Sequence, residues 1–148
     1  MTDRSYQFVT WLLAFALAAS VLGAMVVAVS PPEPTQSYSE FYLLAEDGRA
    51  EDYPTNLTVG ETGRLLVGVS NHEHDDQTYT VTVVFGDRTV ATRTLSIEAD
   101  RTAERRVSFS PTEPGRERLR FLLYRGSDSS GEPYRRLRLV VNVSAASR

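Results

Sequence analysis

Apolar and polar residues follow two different patterns along this chain, and the change between them lies near residue 30. From Phe8 to Val29 the sequence has no charged residue, and Thr10 and Ser20 are its polar positions. From Ser39 onward, apolar and polar residues alternate. An unbroken apolar run of this length is typical of a membrane-spanning helix, whereas alternation with a period of two is typical of β-strands.

The apolar run is long enough to cross a membrane. As a helix, 22 residues extend about 33 Å, against about 30 Å for the hydrocarbon core. The alternative is a cleaved signal peptide, whose apolar region is usually about 7–15 residues long and ends in small residues. This run ends instead in Val26-Val27-Ala28-Val29 followed by Ser-Pro-Pro. The sequence therefore predicts an uncleaved anchor.

The charges that flank this run predict its orientation. Arg4 and the amino terminus precede it, whereas Glu33 and Glu40 follow it. Positive flanks favour the cytoplasm, so we expect a cell-membrane protein with a single span and an extracellular C-terminal domain. The predicted organisation is a cytoplasmic N-terminus (1–7), a transmembrane helix (8–29), a proline-rich linker (30–38) and a β-domain (39–145).

Seven segments of the C-terminal part alternate as β-strands do, and polar, glycine or proline residues separate them. Seven short strands in about 110 residues are typical of an immunoglobulin-like sandwich. The chain has no cysteine, so the predicted fold is an all-β, immunoglobulin-like, seven-stranded, disulfide-free sandwich preceded by a single N-terminal transmembrane helix. The predicted strands are Glu40–Ala45, Arg64–Asn71, Thr78–Phe85, Thr89–Ile97, Ala103–Phe109, Glu117–Tyr124 and Leu137–Val143.

Two N-glycosylation acceptor sequences lie on the predicted solvent faces of this domain. Tyr53-Pro54 predicts an extended segment at a sheet edge, because proline cannot donate to a central ladder. In the sequence that follows, Asn56 faces out while Leu57 faces in, and Asn142 likewise lies opposite its apolar neighbours. Both acceptors fit an extracellular location.

Positive charge is concentrated at the end of the chain. The net charge is −3, and all sixteen basic residues are arginine. Residues 30–115 hold fifteen acidic residues against seven arginines, whereas residues 116–148 hold eight arginines against three acidic residues. The overall balance gives no general attraction to nucleic acid.

Five of these arginines alternate with apolar residues in the last two predicted strands, which are neighbours in the immunoglobulin topology. They would then share one exposed face and could pair in a bidentate way with an acidic glycan, anionic headgroups or an acidic protein. The alternative is that nearby carboxylates such as Glu98, Glu104 or Glu117 neutralise them. The five are Arg116, Arg118, Arg120, Arg136 and Arg138.

Other chemistry has little support in the sequence. His72 and His74 have acidic neighbours and are weak candidates for metal ligands, but a solvated turn is the simpler interpretation. No catalytic motif or phosphate-binding glycine loop is present, so the sequence predicts neither an enzyme nor a cofactor.

Several stretches resemble an archaeal membrane-protein family known only as a domain of unknown function, number sixteen-sixteen. The resemblance rests on Phe41–Glu61, with its Asp-Tyr-Pro-Thr-Asn-Leu-Thr-Val-Gly core, on Val69–Glu73, and on RFLLYRG and PYRRLRLVVNVS within Pro114–Ser144. It implies a membrane protein with an extracellular β-domain. It implies no activity and no catalytic residues.

Three hypotheses for function follow. The first is a membrane-anchored cell-surface protein whose sandwich has an interaction or envelope-structural role. The second is an accessory subunit of a membrane complex for envelope glycan assembly or export. The third is a metal-dependent enzyme that uses the loop from His72 to Asp76.

Overall fold

The structure is a computed structural model that describes residues 3–29 and 36–147, with helix side chains described for residues 4–21. The chain divides into two units, residues 1–36 and 37–148. The first contains α1 (Asp3–Val29). The second contains β1 (Tyr38–Ala45), β2 (Asn56–Thr58), β3 (Gly63–His72), β4 (Gln77–Phe85), β5 (Arg88–Ile97), β6 (Arg101–Phe109), β7 (Gly115–Arg125) and β8 (Arg135–Ser144).

The helix α1 includes the whole apolar run Phe8–Val29. Among the residues that the structure describes, no helix is long and apolar enough to cross a membrane. The predicted transmembrane helix is therefore not confirmed. Side chains 22–29 of the run, and residues 30–35 of the predicted linker, lie outside the described residues.

The eight strands form two sheets that pack face to face. Sheet A has the order β1-β3-β6, and sheet B has the order β2-β8-β7-β4-β5. All paired neighbours are antiparallel except β2 and β8, which are parallel. Alternate residues of both sheets point inward and form the core. Side chains of Leu65, Val69, Tyr79, Leu119, Phe121, Leu123 and Val141 are 0% exposed.

The all-β, disulfide-free sandwich is confirmed, but the predicted number of seven strands is not. Each predicted strand is present, and β2 (Asn56–Thr58) is the eighth. It lies in the segment that Tyr53-Pro54 predicted to be extended, at the edge of sheet B. With three residues, β2 is too short for alternation alone to mark it as a strand.

Candidate functional site

The last two strands place the five predicted arginines on the outer face of sheet B. Strands β7 and β8 are antiparallel neighbours, and Leu119, Phe121 and Val141 are buried on the inner side. Because side chains alternate across a strand, the arginines between them point to solvent. All five are exposed. We call Arg116, Arg118, Arg120, Arg136 and Arg138 the arginine face.

Two members of the arginine face lie directly opposite each other. Arg120 of β7 and Arg138 of β8 are cross-strand partners. Like charges in this position destabilise a sheet, and neighbouring strands are only about 4.8 Å apart. Arg118 and Arg116 lie opposite Val140 and Asn142, which add no negative charge. The arginine face therefore concentrates positive charge in an arrangement that does not stabilise the fold.

Few of these guanidinium groups have an acidic partner. Within the described residues, Arg136 is the only one with a carboxylate closer than 4.0 Å, at 3.4 Å from Glu132. Arg120 donates instead to the backbone carbonyl of Gly86 at 2.9 Å. Of the acids expected to neutralise the face, Glu98 pairs with Arg101. Glu104 accepts a hydrogen bond from Tyr42.

An open groove of about 660 Å³ runs along the arginine face. Four of the five arginines line it, together with Val140 and the turn at Gly86. Asp87 and Glu117 lie at the same groove, so its charge is not uniformly positive. The geometry suits an elongated anion that contacts several guanidinium groups in succession. The arginines lining it are Arg116, Arg118, Arg120 and Arg138.

The two glycosylation candidates are neighbours in space, which their separation in sequence did not predict. Asn56 of β2 and Asn142 of β8 are partners in the parallel pair. Asn142 Nδ2 donates to Asn56 Oδ1 at 3.3 Å. Both side chains are exposed, and Asn142 lies opposite Arg116. A glycan on either asparagine would therefore border the arginine face.

The histidine loop does not bring metal ligands together. The His72 ring stacks on Tyr38 with centroids 4.7 Å apart, and its Nε2 lies 3.4 Å from Glu40. His74 is exposed. Within the described part of the chain, no three histidine, aspartate, glutamate or cysteine side chains form a group able to hold a metal.

The buried Asn71 explains the shape of this loop. Its amide nitrogen donates to the carbonyls of Asp75, Ile97 and Glu98, and its oxygen accepts from the amide of Glu73. A fully buried side-chain amide that has most of its hydrogen bonds satisfied has a structural role. Asn71 therefore holds the loop from His72 to Asp76 in place.

A polar cluster near this loop has no local signal in the sequence. Arg125 of β7 forms an ion pair with Glu73, whose side chain is only 12% exposed. The Arg125 guanidinium also lies 4.1 Å from the centre of the Tyr134 ring. The hydroxyl groups of Tyr79 and Ser39 form a hydrogen bond. Burial raises the pKa of Tyr79. These residues are far apart in sequence, so no local motif marks the cluster.

Comparison with solved structures supports the class of fold. A CARDB domain from Pyrococcus furiosus, crystallised in complex with di-metal ions, has a TM-score of 0.56 and 13% identity, covering 78% of this chain and 95% of that one. A Listeria innocua β-glucosidase has a TM-score of 0.55 and 15% identity, covering 76% of this chain. An Erythrobacter marinus β-glucosidase gives 0.54 and 12%, covering 73%. At such identities these likenesses show the fold alone.

The β-domain is thus an immunoglobulin-like sandwich whose fold is similar to that of the CARDB domain. It corresponds to most of the Pyrococcus domain, but to only 17% and 16% of the two β-glucosidases. The model of the family described as "Domain of unknown function (DUF1616)" matches residues 32–142, and the chain belongs to that family. No curated protein matches the sequence.

Proposed function

We propose that this chain is a membrane-anchored cell-surface protein whose sandwich binds a polyanionic partner of the envelope through the arginine face. The observation that carries the proposal is the direct opposition of Arg120 and Arg138. Such a pair weakens the free sheet, and an anion bound between the two guanidinium groups removes the repulsion.

The spacing of the face suits a polymer better than a small ion. Alternate residues on one strand are about 6.8 Å apart, so Arg116, Arg118 and Arg120 form a row about 14 Å long. Arg138 lies beside this row on the neighbouring strand. Regularly spaced carboxylates or sulfates, as in an acidic glycan or an acidic protein segment, could contact the row in succession. Rigid strands hold the guanidinium groups in position, which reduces the entropy cost of binding.

Binding of alginate, a polyuronate, to the full-length protein in detergent micelles tests this proposal. We expect Arg116→Gln, Arg118→Gln and Arg120→Gln together to weaken binding by about tenfold or more, equivalent to about 1.4 kcal/mol. Binding should also weaken as salt rises, because salt screens exposed charges.

A control variant separates the face from net charge. Arg93→Gln, Arg101→Gln and Arg105→Gln together remove three exposed arginines from other surfaces. If this control weakens alginate binding as much as the first variant, attraction is general and the arginine face is not a site. If wild-type protein binds neither alginate nor polyglutamate, the proposal fails.

The membrane anchor is supported by the sequence of the run Phe8–Val29, which has no charged residue. In intact cells, added protease should digest the β-domain and spare the N-terminus. Protection of the domain until the membrane is broken would reverse the orientation. Mass spectrometry of mature protein that begins near Ser30 would instead show a cleaved, secreted product.

We also infer that the domain acts by binding rather than by catalysis. The sequence has no nucleophile or metal-binding motif of a known hydrolase type.

A further inference from the structure

One part of β8 has a neighbour on one side only. Strand β7 pairs with Arg135–Val143 along its whole length. On the other side, β2 pairs with Asn142–Ser144 alone. Within the described residues, no strand pairs with the second edge of residues 135–141. We call this stretch the open edge.

The inward side chains of β8 are more buried beside β2 than along the open edge. Val141 and Val143 lie where β2 pairs with β8 or just beside it, and they are 0% and 7% exposed. Leu137 and Leu139 occupy equivalent inward positions along the open edge, yet both are only half-buried. Their exposure follows from the missing neighbour, since the alternation of β8 directs all four side chains toward the core.

The opposite sheet leaves a matching gap. Phe41 of β1 points toward the core but is also only half-buried. A groove of about 490 Å³ lies between the start of β1 and the start of β8, lined by Ser39–Tyr42 and Arg135–Leu137. The sandwich is therefore open along this side, with apolar residues on both lips.

The backbone of the open edge points into the same gap. The amide of Asn142 donates to Thr55 at 2.7 Å, on the β2 side of the strand. In an antiparallel pair, alternate residues direct their backbone groups to opposite sides. The amides and carbonyls of Arg136, Arg138 and Val140 thus face away from β7, where no described strand meets them. Such an edge is a template for another strand.

We propose that the open edge binds an extended segment of a partner protein, in which apolar and acidic residues alternate, as an added strand of sheet B. Its apolar side chains would pack on Leu137, Leu139 and Phe41. Its acidic side chains would point to the outer face, beside Arg136 and Arg138. Charge selects this occupant, because Arg135, Arg136 and Arg138 all belong to the open edge. Glu40 is the one acid among the described residues that line the groove.

This site adjoins the groove of the arginine face, and Arg138 and Val140 belong to both, but the two sites use different groups. Strand addition depends on backbone amides and inward apolar contacts, neither of which a polyanion at the outer face uses. A polysaccharide could bind the arginine face and leave the open edge unchanged. The two proposals can therefore fail separately.

A heptapeptide with the sequence Val-Glu-Val-Glu-Val-Glu-Val and capped ends is a suitable probe for the full-length protein in detergent micelles. Amide hydrogen exchange should show new protection of at least about tenfold at Arg136, Arg138 and Val140. The amides of Leu137 and Leu139 already face β7, so their exchange should change less. A peptide isomer with all valines before all glutamates has the same charge without the alternation and should give no protection.

Two variants at one position complete the test. Val140→Pro removes an amide donor from the open edge and keeps all five arginines; proline is tolerated where a strand edge faces solvent. It should abolish peptide binding. Val140→Thr keeps the amide and should bind the peptide as wild type does. Protection by the block isomer, peptide binding by Val140→Pro, or occupation of the open edge by a second copy of the chain would each overturn the proposal. If Val140→Pro does not fold, the exchange pattern of the wild type decides alone.

Discussion

The Tyr79 hydroxyl lies 2.7 Å from the Ser39 hydroxyl, and this buried hydrogen bond joins sheet B to sheet A. Tyr79 is on β4 and Ser39 is on β1, which is an edge strand of sheet A. The same hydroxyl lies 3.4 Å from the buried Asn71. The Tyr79 hydroxyl oxygen thus links β1, the loop from His72 to Asp76 and the core. It also holds in place β1, which forms one side of the groove beside the open edge.

Tyr79→Phe should therefore destabilise the domain although it removes a single atom. Ser39 and Asn71 are 3% and 0% exposed, so water cannot readily replace the lost partner. Because Ser39 still donates to Glu73 and Asn71 still accepts from the amide of Glu73, the loss should be that of one buried hydrogen bond, about 0.5–1.5 kcal/mol. Chemical denaturation should show a loss of this size. Tyr6→Phe, on the exposed part of α1, is the control and should have almost no effect. Equal stability of Tyr79→Phe and wild type would show that the hydrogen bond contributes little.

Stability should fall at alkaline pH. Burial raises the pKa of Tyr79 above its ordinary value of 10.0, and burial together with the Glu104 hydrogen bond raises the pKa of Tyr42. A folded-state pKa above the unfolded one favours folding while the tyrosine is protonated. This contribution is fully present below pH 10.0 and is lost as pH rises through the higher folded pKa. Unfolding free energies measured from pH 8 to pH 12 should decline above about 10, and the decline should be smaller in Tyr79→Phe. An identical decline in both proteins would contradict the role of Tyr79.

Gly68→Ala should destabilise sheet A. A Cβ atom at Gly68 would overlap the ring of Tyr42, its cross-strand partner on β1. Overpacking of this kind costs about 1–3 kcal/mol. Gly131→Ala is the matched control, since nothing lies within 4 Å of the added atom. Thermal unfolding should show a lower Tm for Gly68→Ala, and the second substitution Tyr42→Ala should relieve part of the added strain. A Gly68→Ala protein as stable as the control would mean that Tyr42 moves aside at no cost.

The strands and the arginine face could be predicted because both depend on alternation. A period of two marks β7 and β8, and a hairpin makes them neighbours, so Arg118 and Arg138 had to share a face. The parallel pairing of β2 with β8 could not be predicted, since β2 has only three residues and its partner is 86 residues further on. The ion pair of Glu73 and Arg125 could not be predicted either, since its members are 52 positions apart in the sequence. Only the packed structure reveals the open edge, because Leu137 and Val141 look alike in sequence and differ in burial.

In cells that attach N-glycans, the two acceptors should compete. Asn56 and Asn142 are register partners, about 4.8 Å apart across the strands, and the Asn142 Nδ2 that would carry a glycan donates to Asn56 Oδ1. We expect intact-protein mass spectrometry to show one glycan per chain. Asn56→Gln and Asn142→Gln should each still carry one glycan, and the double variant should carry none. Chains with glycans at both sites would show that the strands separate, or that modification precedes folding.

The last prediction separates stability from binding at the pair of Arg120 and Arg138. Arg138→Glu replaces two like charges by an opposite-charge pair, which should stabilise the free domain by about 0.2–1 kcal/mol. The same change should weaken alginate binding by more than tenfold, since it places a carboxylate beside the row of arginines.

Arg138→Gln provides the matched control, because it removes the repulsion without adding attraction. It should fall between wild type and Arg138→Glu in both unfolding free energy and alginate affinity. Opposite trends of stability and affinity across the three proteins would be typical of a site that folding alone does not favour. If Arg138→Glu were less stable than wild type, Arg138 would instead contribute to the fold, and the opposition of the two arginines would lose its functional meaning.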